Sequence, residues 1–111
     1  GGQMKRVILE SPYAGDVERN VEYARRAMLD SLKRGEAPFL SHLLYTQVLE
    51  DTEPYQRQLG TEAGWSWIVV ADGTVVYEDY GISDGMVVGI ECAAYMGNDI
   101  EYRTIGENPA T

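Results

Sequence analysis

The 111-residue chain holds one cysteine and one histidine, Cys92 and His42. A single cysteine permits no intrachain disulfide and no Cys-x-x-Cys metal site, and it suits a reducing, cytoplasmic setting. A lone histidine without a second His or Cys beside it forms no metal-ligand set, so no metal is expected, and no motif points to another cofactor. Basic residues are scarce, nine Lys and Arg against eighteen Asp and Glu, for a net charge of -9. That balance argues against electrostatic binding of long DNA or RNA and against an anionic membrane surface. It leaves room for a single nucleotide held by local backbone dipoles. No apolar run approaches the length of a membrane-spanning helix, and no secretory signal is visible. Gly1-Gly2-Gln3 ahead of Met4 reads as a tag remnant, residues 4–106 as one domain, and residues 107–111 as a flexible tail.

What is present is concentrated between Val7 and Asn20, VILESPYAGDVERN. Val7-Ile8-Leu9 is a short apolar run that predicts a buried first strand, Lys5 to Glu10. Pro12 and Gly15 punctuate a turn. Asp16 can accept the free N–H groups of a following helix, and Asn20 lies one turn into it. Strand, polar turn and helix N-terminus together form a cradle suited to an anionic ligand.

The first helix is expected over Asp16 to Lys33. Val17, Val21, Ala24, Met28 and Leu32 recur at intervals of three and four and should form its inner face. A second strand follows at Ala37 to Leu40, with Pro38 pointing to a sheet edge. After Ser41-His42-Leu43-Leu44-Tyr45 and an acidic loop, Pro54 suits the first position of a helix running to about Val69. Leu59, Ala63, Trp67 and Val70 are its expected inner residues, and Gly60 and Gly64 could let a neighbour pack closely. A third strand is expected at Thr74 to Asp79, a third helix at Met86 to Met96, and a fourth strand at Ile100 to Ile105.

Helical connections between strands imply a parallel sheet with right-handed crossovers. The expected order is 2-1-3-4, an α/β three-layer arrangement with four to five strands. Ligands bind such sheets beyond the carboxyl ends of the strands at the point where the order reverses, here between the first and third strands. Two polar turns converge there, Ser11 to Asp16 and Asp79 to Gly85, with His42 on the same edge. In the second turn Ser83 can cap the third helix, and Gly85 lets a ligand approach the backbone before Met86.

The runs ESPYAGDVERN, SHLLYTQ and GISDGM, in that order, resemble the nucleoside 2-deoxyribosyltransferase-like superfamily, and within it a branch encoded by phages or bacteria. The superfamily includes deoxynucleoside 5'-monophosphate N-glycosidases. The resemblance spans Met4 to about Arg103. It implies a Rossmann-like, flavodoxin-like fold, a nucleoside, nucleotide or nucleotide-derived ligand, and a homo-oligomer of two or more subunits. It also implies roles. Tyr13 matches a tyrosine lining the sugar site, Ser83 and Gly85 the turn that receives the phosphate or sugar end, and Asp79, with Asp72 as the second choice, an aspartate that helps protonate the departing base. The glutamate nucleophile of the active enzymes falls on Gly89.

Glycine cannot serve at an anomeric carbon, where the chemistry needs a carboxylate. Glu91, two residues on, is the substitute in reach along the chain, although at about 100° per residue it points to nearly the opposite side of the helix. The expected catalytic set is therefore Tyr13, Asp79 and Glu91. Ser11, Pro12, Tyr13, Gly15, Asp16, Asn20, His42, Arg57, Ser83, Gly85 and Met86 are the expected ligand contacts. Two functions follow: an enzyme of the N-glycosidic bond (a glycosidase or deoxyribosyltransferase-like protein), or a non-catalytic nucleotide-binding or sequestering protein.

Overall fold

The computed structural model describes residues 3–107; residues 1–2 and 108–111, where part of a tag remnant and of a flexible tail was expected, lie outside the described part. Nine elements follow in order: β1 (Lys5–Glu10), α1 (Val17–Lys33), β2 (Glu36–Phe39), α2 (Ser41–Leu44), a 3-10 turn (Tyr45–Gln47), α3 (Pro54–Ile68), β3 (Gly73–Tyr77), α4 (Asp84–Tyr95) and β4 (Ile100–Arg103). The strands form one parallel sheet in the order β2-β1-β3-β4. The expected α/β fold and strand order hold, with four strands.

Strand alternation assigns two faces to this sheet. Val7 and Leu9 of β1 share one face with Val75 and Tyr77 of β3, and there they join Tyr23, Ala24 and Ala27 of α1 in the main core. Ile8 and Glu10 share the opposite face with their register partners Thr74 and Val76, under α3 and α4. A right-handed crossover requires this division, because the chain moves one way from β1 to β2 and the other way from β2 through β4.

Several expected inner faces are turned. On α1 the buried residues are Asn20, Tyr23, Ala24, Ala27 and Ser31, whereas Val17 and Leu32 are exposed. Periodicity missed this because three of the five carry polar atoms that are buried with partners. The Asn20 amide donates to the carbonyls of Tyr13 and Ala14, the Tyr23 hydroxyl to Asp79, and the Ser31 hydroxyl to Glu36. Such bonds remove the penalty that normally keeps polar groups outside. On α3, Gly64 and Ile68 are buried while Leu59, Trp67 and Val70 are exposed.

The short helix α2 was not anticipated. It exists because Gly64 lets it approach: a Cβ at that position would lie 2.9 Å from Ser41 Oγ. Glu107, expected to be frayed, is tied down. Its N–H donates to Asp79 at 2.8 Å, and its carboxylate accepts from Arg26 at 2.8 Å and from Tyr80 at 3.1 Å. Among the described residues no helix is long and apolar enough to cross a membrane, and no cluster of three or more His, Cys, Asp and Glu could hold a metal ion.

Candidate functional site

Beyond the carboxyl end of β1 lies a cavity of about 550 Å³, between α2 and α3 on one side and the start of α4 on the other. That is within the ~300–1,000 Å³ usual for small-molecule sites. The loop after β1 forms its first wall. Gly15, at φ 96, takes the left-handed turn that glycine tolerates, and Asp16 caps α1 by accepting from the Arg19 N–H. Asn20, buried one turn later, grips the loop from behind through the Tyr13 and Ala14 carbonyls. The loop's shape is thus fixed from below, while Tyr13 and Gly15 face the cavity.

The second wall is α2. His42 Nε2 and Ser11 Oγ share a hydrogen bond of 2.7 Å. Burial pushes the imidazole down to about 4, so His42 is neutral at physiological pH. The pair therefore presents neutral hydrogen-bonding groups and no cation. Across the cavity, the Ser83 hydroxyl caps α4 by accepting from the Met86 N–H at 3.3 Å. Ser83, Asp84, Gly85 and Met86 all line the space. A Cβ on Gly85 would meet nothing within 4 Å, so the backbone there is open to a ligand. Arg57, in the first turn of α3, is the one Lys or Arg on the wall among the described residues. Three acids stand against it, Glu10, Asp51 and Asp84.

Of the residues expected from the sequence, Ser11, Tyr13, Gly15, His42, Arg57, Ser83, Gly85 and Met86 line the cavity. Five do not. Pro12 is buried beside it, Asp16 is spent on its cap, and Asn20 holds the loop. Glu91 is exposed elsewhere on α4, as its angular offset from position 89 requires.

Asp79 is occupied. It accepts from the Tyr23 hydroxyl at 2.6 Å, the Ile105 N–H at 2.9 Å and the Glu107 N–H at 2.8 Å. Burial alone would raise its pKa, but these donors bring it below the ordinary carboxylate value. Asp79 therefore anchors the segment after β4 and is not placed to protonate a base in the cavity.

The residue missed by sequence reasoning is Glu10. It is the last residue of β1, its side chain is on the α4 face, and it lines the cavity. A Cβ built at Gly89 would lie 2.7 Å from Glu10 Cδ and 2.8 Å from Oε1, and would also strike Oε2. The Glu10 carboxyl therefore fills the space that a side chain at position 89 would need. Burial pushes it up to about 8, with no hydrogen bond or opposite charge offsetting the effect. The available signal was an acid ending an apolar strand at the switch point, but its contact with a glycine far along the chain is not written in local sequence.

Residues 5–103 match the family described as "Domain of unknown function (DUF7768)", and the chain belongs to that family. Among curated proteins there is no match. Among solved structures, a 2-deoxyribosyltransferase from the psychrotolerant bacterium Bacillus psychrosaccharolyticus is similar. Its TM-score is 0.71 at 15% sequence identity, over 89% of this chain and 72% of that one. At that identity the likeness is one of fold: this chain has the α/β architecture of a deoxyribosyltransferase.

Proposed function

We propose that this member of the DUF7768 family binds a nucleoside or nucleotide in the cavity beyond β1 and cleaves or transfers at its N-glycosidic bond. The observation that carries this reading is the convergence of Tyr13, the Ser11–His42 pair and the open Ser83–Met86 turn on one cavity at the switch point of the sheet. Tyr13 stacks on or hydrogen-bonds the sugar. The N–H groups that open α4 receive its 5' end. With Asp51 and Asp84 on the wall against the single Arg57, an uncharged nucleoside suits the cavity better than a dianionic monophosphate.

Gly89 on its own would favour a protein that binds without chemistry. The space beside it is filled by a carboxyl, however, so the enzyme reading is preferred. The reading extends to a homo-oligomer, supported by the exposed Trp65 and Trp67 on α3 and Val69 just after it. Incubation with a panel of nucleosides and nucleotides, followed by chromatography, tests the function: free base is expected. Intact ligand retained by the protein without any free base would replace this reading with the sequestering one.

A further inference from the structure

We propose that Glu10 supplies the carboxyl that position 89 lacks, acting as the acid that protonates the departing base and then, as carboxylate, facing the anomeric carbon. This role rests on the N-glycosidic reading above. Three geometric facts support it. The carboxyl lines the cavity that holds Tyr13 and the Ser83–Met86 turn. It occupies the volume next to Gly89, where a Cβ would be 2.7 Å from its Cδ. Among the described residues it has no charged or hydrogen-bonded partner, in contrast to Asp79 with its ring of donors. A carboxyl moved from helix to strand thus reaches the same volume from the opposite wall, and a glycine on the helix is what makes the exchange fit.

The step balances with water as the second reactant. The C1'–N bond breaks, its electron pair leaves with the base, and the Glu10 proton passes to a base nitrogen. The carboxylate then faces the positive charge that develops on the sugar. A water oxygen bonds to C1', and the proton it releases returns to Glu10. Burial keeps the carboxyl protonated at neutral pH, the form the first step needs.

The titratable groups around it are few. Cys92 on α4 has its thiol pushed up by burial and then by the Glu10 charge. His42 on α2 stays neutral. Tyr13 in the loop, Tyr45 just after α2, Asp84 at the start of α4, and Asp51 and Arg57 on the α3 side complete the set around the cavity among the described residues.

The test compares wild type, Glu10→Gln and the double variant Glu10→Gly/Gly89→Glu. Base release from the nucleoside panel, nucleoside affinity by calorimetry and a melting curve are recorded for each. Wild type is expected to release base with a rate that falls as pH rises through about 8. Glu10→Gln should lose about a hundredfold or more in kcat while binding nucleoside within a few-fold of wild type. The double variant, with its carboxyl returned to the helix, should regain at least about tenfold over Glu10→Gln. If wild type releases base and a folded Glu10→Gln does so within about threefold, the role of Glu10 is overturned and the glycosidic reading stands. If wild type binds nucleosides but releases no base, both fall together.

Discussion

Two carboxylates leave the carboxyl edge of neighbouring central strands, and they have opposite fates. Asp79, two residues beyond β3, is surrounded by donors: one tyrosine hydroxyl and the N–H groups of Ile105 and Glu107. Its proton is held less tightly than usual. Glu10, at the end of β1, faces the other side of the sheet, among Ile8, Gly89 and the cavity. No donor compensates its burial, and it is pushed up to about 8. Both are acids on adjacent strands. The difference lies in what packs over them: α1 and the segment after β4 in one case, a glycine on α4 in the other. A carboxylate saturated with donors anchors structure, whereas a carboxyl left uncompensated beside a cavity is available for chemistry.

The largest effect expected from breaking this contrast is on the anchored side. Asp79→Ala leaves the Tyr23 hydroxyl and two backbone N–H groups without their acceptor, and should cost on the order of 3 kcal/mol in urea unfolding. Because the folded Asp79 titrates below its unfolded value of 3.8, wild type keeps this stabilisation above about pH 4 and loses it as pH falls through the folded value. The variant should lack that acid-sensitive component.

Glu10→Gln should act in the other direction. The folded carboxyl titrates above its unfolded value of 4.5, so wild type is most favoured below that pH and loses stability as pH rises to about 8. The variant's advantage should therefore grow across that interval. It should reach on the order of 2 kcal/mol above pH 8, once the solvent reaching the cavity is allowed for. A variant more stable and less active than wild type would mark Glu10 as a site residue held at a cost to the fold.

Two smaller effects probe the wall that faces Glu10. His42 titrates at about 4 in the folded chain against 6.5 unfolded. Wild type should thus lose stability as pH falls from about 6.5 to about 4, by on the order of 1 kcal/mol, and His42→Gln should not show this loss. Gly64→Ala sets a methyl 2.9 Å from Ser41 Oγ and 3.1 Å from Ser41 Cβ, so α2 must shift. The gain in helix propensity offsets part of that strain, leaving a net loss below about 1 kcal/mol. Nucleoside affinity should fall several-fold, as read by calorimetry, because His42 moves with the helix and disturbs its hydrogen bond to Ser11.

The sheet was legible from the sequence because its signals are local. Val7-Ile8-Leu9 and the other strand-length runs, with Pro38 at the edge, define β1, β2 and β3. Crossover handedness does the rest. The faces of α1 and α3 were less legible. Asn20, Tyr23 and Ser31 are buried through specific partners, whereas Val17, Leu59 and Trp67 stay exposed, so apolar periodicity found Ala24 and Met28 but missed the polar part of the inner face. At the site, Ser11, Tyr13, His42 and the Ser83–Met86 turn could be found because loops at a switch point announce themselves through Pro, Gly and capping residues. Glu10 could not. Its meaning depends on the glycine at position 89 and on the absence of a partner, and both are properties of the packed chain. Asp79 was misjudged for the mirror-image reason: its partner Glu107 lies in a segment expected to be loose, and Ile105 was expected only as the end of a strand.

The most direct measurement is a carbon-detected NMR titration of the side-chain carboxyls, with the Glu10 signal assigned by its loss in Glu10→Gln. An uncompensated carboxyl under Gly89 predicts a midpoint near 8. A midpoint near the ordinary value of 4.5 would mean that Glu10 is solvated or paired, and would contradict its assignment as the acid of this cavity.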